Sequence, residues 1–138
     1  NAFTSNALRK QEDQACGFSH DYVRIDGRRI HCIMAGQGSP VLLIPGWPQT
    51  WYAWRHVMQA LAAQGFQAIA VDPPGTGFSD RPETGYDTGA IAQTLHRTML
   101  ALGHERYQVA GHDVGMWVAY ALASDQPQAV QSLALTEA

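Results

Sequence analysis

Gly111-His112-Asp113-Val114-Gly115 sets an acidic residue midway between two glycines, a spacing that suits covalent chemistry at a carboxylate. The run joins an apolar segment, Tyr107 to Ala110, to an alanine-rich one, Val114 to Asp125. Small-x-nucleophile-x-small is the pattern of a nucleophile elbow, a sharp strand-to-helix turn whose central side chain, most often serine, projects over the end of a sheet. Such a turn stores roughly 1–3 kcal/mol of backbone strain. Glycines on either side remove Cβ atoms that would strike neighbouring backbone, and the start of the following helix stabilises negative charge at the same point. The plainer alternative is that Asp113 is an N-cap, a position aspartate favours on its own account. Aspartate in place of serine changes the chemistry. A carboxylate needs no base to become a nucleophile, and its attack on carbon leaves an alkyl ester that water must then hydrolyse. This points to epoxides or carbon–halogen bonds rather than ordinary esters.

Two Pro/Gly loops stand where they could support that turn. Pro45-Gly46-Trp47-Pro48 directly follows the apolar run Val41-Leu42-Leu43-Ile44. In a fold built around a nucleophile elbow, the loop at this place supplies one oxyanion-hole N–H and the residue after the nucleophile supplies the other. The oxyanion donors are therefore expected to be the Trp47 and Val114 backbone amides; without the elbow, a simple turn from strand to helix would account for the loop. The second stretch, Asp72-Pro73-Pro74-Gly75-Thr76-Gly77-Phe78-Ser79, is expected to shape the rim of the site. It has no following lysine and does not open into a helix, so it does not read as a phosphate loop.

The elements that must position these residues follow from periodicity. Tyr22 to Ile25 and Arg28 to Met34 flank Asp26-Gly27, a pair favoured in two-residue hairpin turns. Val41 to Ile44 reads as a strand buried on both faces, as in a parallel sheet, Gln67 to Val71 as the next strand and Tyr107 to Ala110 as a third central strand. Trp51, Trp54, Val57, Met58 and Leu61 recur at helical spacing up to Gly65, and Ile91, Leu95, Met99 and Leu102 do so up to Gly103. Val114 to Asp125 is a third helix, ending before Pro127, and Ser132 to Leu135 begins a further strand. An antiparallel hairpin followed by repeating strand–helix units describes a doubly wound α/β sheet. Residues 1–17 lack clear periodicity and read as an N-terminal arm, with residues 18–138 as the N-terminal part of a core domain. No crossover follows the last strand, so the remainder of such a domain is expected on a second chain or further segment.

Composition narrows the function classes. The 138 residues are 46% hydrophobic and 15% charged, a globular balance, with net charge −3. One basic cluster, Arg24, Arg28 and Arg29, lies around the predicted hairpin and reads as a solvated face, so a nucleic-acid partner is not expected. No apolar run approaches membrane-spanning length, and no signal peptide is read. Cys16 and Cys32 have no metal-ligand spacing and are too few for a disulfide framework; two ordinary thiols or a single bridge both fit. Neither a metal nor a cofactor is expected.

Taken together, Pro45 to Pro48, Asp72 to Ser79 and Gly111 to Gly115 resemble the epoxide hydrolase and haloalkane/haloacetate dehalogenase branch of the α/β-hydrolases. The resemblance runs from about Phe18 to Ala138. Gln49 to Trp54 and His112 to Trp117 are especially similar to Cif-like bacterial epoxide hydrolases, which are secreted. That leaves the compartment open between cytoplasm, periplasm and exterior. The resemblance implies an aspartyl-ester mechanism with a small apolar epoxide as substrate, a histidine base later in the chain, and a cap that donates ring-opening tyrosines. It also implies that Glu137, just past the last strand, orients that histidine. Other epoxide hydrolases carry this acid one strand later.

Three departures from the branch matter. Pro45 stands where a loop-ordering histidine is usual. Val114 replaces the halide-binding tryptophan of haloalkane dehalogenases, and Val114 and Trp117 occupy the places of the arginines that clamp haloacetate. Both of these differences favour epoxides over halides. Third, five of the six histidines precede the elbow and His112 lies inside it, so none is placed to be the base. A dehalogenase using the same aspartate, and a non-catalytic binding or regulatory protein on the same scaffold, stand as the alternatives.

Overall fold

The computed structural model describes residues 2–137, with side-chain surroundings given from residue 7 onward. Asn1 and Ala138, the outer ends of the two expected segments, lie outside the described residues. Six strands form one mixed sheet: β1 (Ser19–Ile25), β2 (Arg28–Ala35), β3 (Ser39–Ile44), β4 (Phe66–Val71), β5 (Tyr107–His112) and β6 (Val130–Thr136). Their spatial order is β1-β2-β4-β3-β5-β6. β1 and β2 pair antiparallel around the Asp26-Gly27 turn, where both residues have positive φ, and β2 joins β4 antiparallel. From β4 through β3 and β5 to β6 all pairs are parallel.

The parallel strands explain their own composition. In β3, Val41, Leu42, Leu43 and Ile44 are all buried, yet they feed two different cores. Leu42 and Ile44 join Ile69, Val71, Leu95, Met99, Val118 and Leu122 on one face. Val41 and Leu43 join Ala68, Ala70, Trp51 and Met58 on the other. Side chains alternate between faces along a strand, so a strand covered by helices on both sides must be apolar throughout. The covering helices are α3 (Thr88–Ala101) and α4 (Val114–Asp125) on the first face and α2 (Arg55–Ala63) on the second. Each central strand therefore ends at a loop on the same edge of the sheet, which is where ligands bind in open α/β folds.

Three elements differ from the sequence expectation. Residues without periodicity at the N-terminus form helix α1 (Ala2–Ala15). It is joined to β1 through Asp13, whose carboxylate accepts from His20 Nε2 at 2.8 Å and whose carbonyl accepts from Phe18 N–H at 2.9 Å. The apolar spacing from Trp51 to Leu61 is split into a 3-10 turn, Trp51–Trp54, and α2. Local anchoring tightens that first turn: Thr50 Oγ1 accepts from Tyr52 N–H, and the Asp72 carboxylate accepts from Trp51 N–H at 2.9 Å. β6 runs longer than expected and is exposed along most of its length, with Leu133 and Leu135 open to solvent at the sheet edge. Cys16 is exposed and Cys32 buried, and both are free thiols. Burial pushes the Cys32 thiol up to about 12, which keeps it protonated and inert.

Candidate active site

β5 ends at His112 and α4 begins at Val114, so Asp113 forms the whole turn between them. Its backbone sits at φ 54°, ψ −124°, a left-handed conformation that costs a non-glycine residue about 1–3 kcal/mol. Tight packing holds it there. A Cβ on Gly111 would strike the Gly115 carbonyl, and one on Gly115 would strike the carbonyl oxygens of Ile44 and Pro45. The start of α4 can therefore lie against β5 and the loop after β3 only because both positions lack side chains. The Asp113 amide is tied to β6, donating to the Thr136 carbonyl at 3.1 Å.

Asp113 occupies the N-cap position of α4, but its side chain makes no cap hydrogen bond. The carboxylate turns instead toward the loop after β3, where Oδ2 accepts from the Trp47 N–H at 3.0 Å. A Cβ on Gly46 would lie 2.7 Å from the Asp113 Cβ and 3.0 Å from Oδ2. That glycine lets loop and carboxylate approach. The Trp47 N–H first, and the Val114 N–H second, hold the Asp113 carboxyl below the usual carboxylate range, while the weaker effect of burial opposes them. The Val114 amide acts from close by without completing a cap bond. Pro45 in the loop does not prevent the Trp47 amide from reaching the elbow. Gly46, Trp47, Pro74, Tyr86, Val114 and Gly115 are among the residues that line a cavity of about 400 Å³.

Glu137 follows Thr136 at the end of β6 and is exposed. Thr136 is bonded to the elbow at three points: its carbonyl accepts from Asp113 N–H, and its hydroxyl contacts His112 Nδ1 at 3.2 Å and the Gly111 carbonyl at 3.3 Å. Glu137 thus sits one residue from an elbow contact, and no hydrogen bond of its carboxylate is formed among the described residues. No histidine bonds Asp113 there either. His112 faces Thr136, and His96 faces the Tyr107 hydroxyl at 2.6 Å.

Comparison with known proteins follows the same lines. The family model described as alpha/beta hydrolase fold matches residues 39–138. The chain belongs to the α/β-hydrolase family. Among curated relatives of this α/β-hydrolase, a soluble epoxide hydrolase of Corynebacterium sp. (strain C12) is 42% identical over 115 residues, covering 83% of this chain and 40% of the relative. A fluoroacetate dehalogenase of Burkholderia sp. is 32% identical, covering 88% of this chain and 41% of the relative. Among solved structures, Cfl2 of Burkholderia cenocepacia is 45% identical with a TM-score of 0.83, covering 86% of this chain and 41% of that one. The epoxide hydrolase CorEH is 41% identical with the same TM-score, coverage again being 86% of this chain and 41% of the other. The α/β-hydrolase chain spans about two fifths of the length of the relatives it matches.

The hydrolase scaffold also holds a polar cluster of which only Asp72 is expected from the sequence to lie near the site, in the loop at its rim. Asp72 is fully buried at the end of β4. Its Oδ1 accepts from Trp51 N–H at 2.9 Å, and Oδ2 accepts from Phe78 N–H at 3.0 Å and faces His31 Nδ1 at 2.8 Å. His31 Nε2 meets His20 Nδ1 at 2.9 Å, and His20 Nε2 meets Asp13 Oδ2 at 2.8 Å. The signal available in sequence was an aspartate directly after an apolar strand and directly before a Gly-rich turn. Nothing local linked it to His20 or His31.

Proposed function

We propose that the whole protein of which this chain is a part hydrolyses epoxides through a covalent ester on Asp113. The observation that carries the reading is the Asp113 carboxylate turned away from its helix and toward the Trp47 amide. Its support among relatives is an epoxide hydrolase at 42% identity. In the first step an Asp113 carboxylate oxygen attacks an epoxide carbon; that carbon's bond to the ring oxygen breaks, and an acid from outside this chain protonates the departing oxygen. In the second step a histidine from outside this chain takes a proton from water. The hydroxide adds to the ester carbonyl, and negative charge gathers on the former carboxylate oxygen. Trp47 and Val114 N–H groups donate to that oxyanion, each donor contributing about 10²–10³ in rate where such a hole operates. On collapse the histidinium returns its proton to the departing alkoxide, which leaves as the diol, and the remaining carboxyl proton restores the acid that opened the ring, regenerating the Asp113 carboxylate. Glu137 would hold the histidine's tautomer and orientation.

The depressed pKa of Asp113 fits this role, since the nucleophile is then ionised across the neutral range. A single turnover of styrene oxide in ¹⁸O-water tests the reading on the full-length protein. Ester hydrolysis leaves the first diol unlabelled and puts ¹⁸O into the Asp113 carboxylate, read by peptide mass. A labelled diol with an unlabelled Asp113 means direct attack by water and sinks the proposal. Halide release from a chloroalkane or from fluoroacetate, without epoxide turnover, would assign the same aspartate to dehalogenation. Absence of both activities would leave the scaffold as a binding protein.

A further inference from the structure

A second cleft, of about 320 Å³, lies against helix α1 and shares no lining residue with the cavity beside the elbow. Its volume is at the small end of the roughly 300–1,000 Å³ typical of ligand sites. Tyr22, Trp51, Tyr52 and Phe78 give it aromatic walls. Arg9 and Lys10 bring two cations from α1, and neither forms an ion pair among the described residues. The carboxylates that reach the cleft are already taken up internally: Asp13 by His20, and Asp72 by His31 and the Trp51 and Phe78 amides.

Aromatic walls alone would suit a ligand of either charge, because ring faces attract cations. Here protein cations already hold those faces. Lys10 Nζ and the Arg29 guanidinium lie 5.5 and 5.6 Å from the Tyr22 ring centroid. The Arg9 and Arg55 guanidinium groups lie 5.6 and 4.2 Å from that of Tyr52. A cationic ligand would meet the like charges of Arg9 and Lys10, whereas an anion would meet two donors that form no ion pair among the described residues. Arginine also offers a planar fork that matches a carboxylate.

We propose that this cleft binds a small aromatic carboxylate, with its ring against Phe78 and its carboxylate at Arg9 and Lys10. The site is independent of Asp113 and of the hydrolytic reading. Titration calorimetry on the full-length protein with benzoate, and with benzylamine as its cationic counterpart, tests it. Benzoate should saturate with a Kd of about 1 mM or tighter, and benzylamine should give no saturable heat. Arg9→Gln with Lys10→Gln should weaken benzoate by about tenfold or more. Phe78→Ala, on a different element, should weaken it as well, which guards against a mere loosening of α1. Benzoate that fails to saturate, that binds the double variant as well as the wild type, or that binds no better than benzylamine overturns the proposal.

Discussion

Asp72 and Asp113 each stand one residue past the end of a parallel strand, on either side of β3, and each accepts an N–H from the loop that follows β3. Asp72 holds Trp51 and Asp113 holds Trp47, so one loop hangs between two aspartates. Their surroundings then diverge. Asp72 is fully buried with three partners, His31 among them, whereas Asp113 is half-buried, has one hydrogen-bonded amide and sits on a left-handed backbone. A carboxylate whose lone pairs are taken up in a dry site is a structural tie. A half-buried carboxylate held by one amide keeps lone pairs free. The residue type and the strand-end position are shared. What separates the structural tie from the proposed nucleophile is the number of donors and the access of solvent.

Exchanging the properties of the two aspartates breaks this comparison, most severely at the proposed nucleophile. In the full-length protein, Asp113→Ala should lower kcat for epoxide hydration by about 10⁴-fold or more, on the scale of other nucleophile deletions. Its unfolding free energy should change little. Asp113→Gly should lose activity equally while gaining about 1 kcal/mol in chemical denaturation, because glycine accepts the left-handed backbone. A large stability loss in Asp113→Ala would place Asp113 with Asp72 as a structural residue.

Asp72→Ala should do the opposite. Removing one member of a buried pair leaves His31 and two amides without their acceptor, at a cost of about 3–5 kcal/mol, measured by urea unfolding. Full stability with lost turnover would move Asp72 into the chemistry.

The pH profile sharpens the contrast more gently. Trp47 and Val114 amides lower the Asp113 pKa, so its carboxylate persists as pH falls through the ordinary carboxylate value of about 4. The single-turnover rate of ester formation should therefore begin to fall only below that value. The same depression means that ionised Asp113 favours the folded state above the unfolded-chain pKa, a contribution lost as pH drops through the lower folded-state value. An acid limb centred above 4 would contradict the amide contacts.

The smallest effect is expected at Trp47. Its side chain is 69% exposed and its proposed donor is the backbone amide, so Trp47→Ala should leave kcat within about tenfold of the wild type. A loss approaching that of Asp113→Ala would assign the indole itself a part in the reaction.

Much of the fold could be read from residue order. The buried strands announced themselves as β-branched and leucine-rich runs, because a sheet covered on both faces has no polar side. Asp26-Gly27 marked its hairpin because few other pairs accept positive φ in succession. Gly111 and Gly115 marked the elbow because a Cβ at either place collides with backbone from elsewhere. Helix α1 carries no clear apolar period in its sequence, and Asp13, which ties it to His20, gives no local sign of that contact. The tight 3-10 turn at Trp51 escaped too, because its anchor, Asp72, is 21 residues away.

By itself the sequence determined which residue types meet at the strand ends: a carboxylate between glycines, a Pro/Gly loop, and an aspartate before a Gly-rich turn. Each of these is a short-range constraint, set by dihedral preference and side-chain size, and short-range constraints are written in neighbouring letters. Only the tertiary structure decided what each carboxylate faces. Asp113 finds Trp47 across 66 residues, and Asp72 finds His31 across 41. Those distances close only when β2, β4, β3 and β5 lie side by side. Hydrogen bonds and desolvation act between groups that touch in space, so the division of labour between two like residues is fixed by packing rather than by their neighbours in the chain.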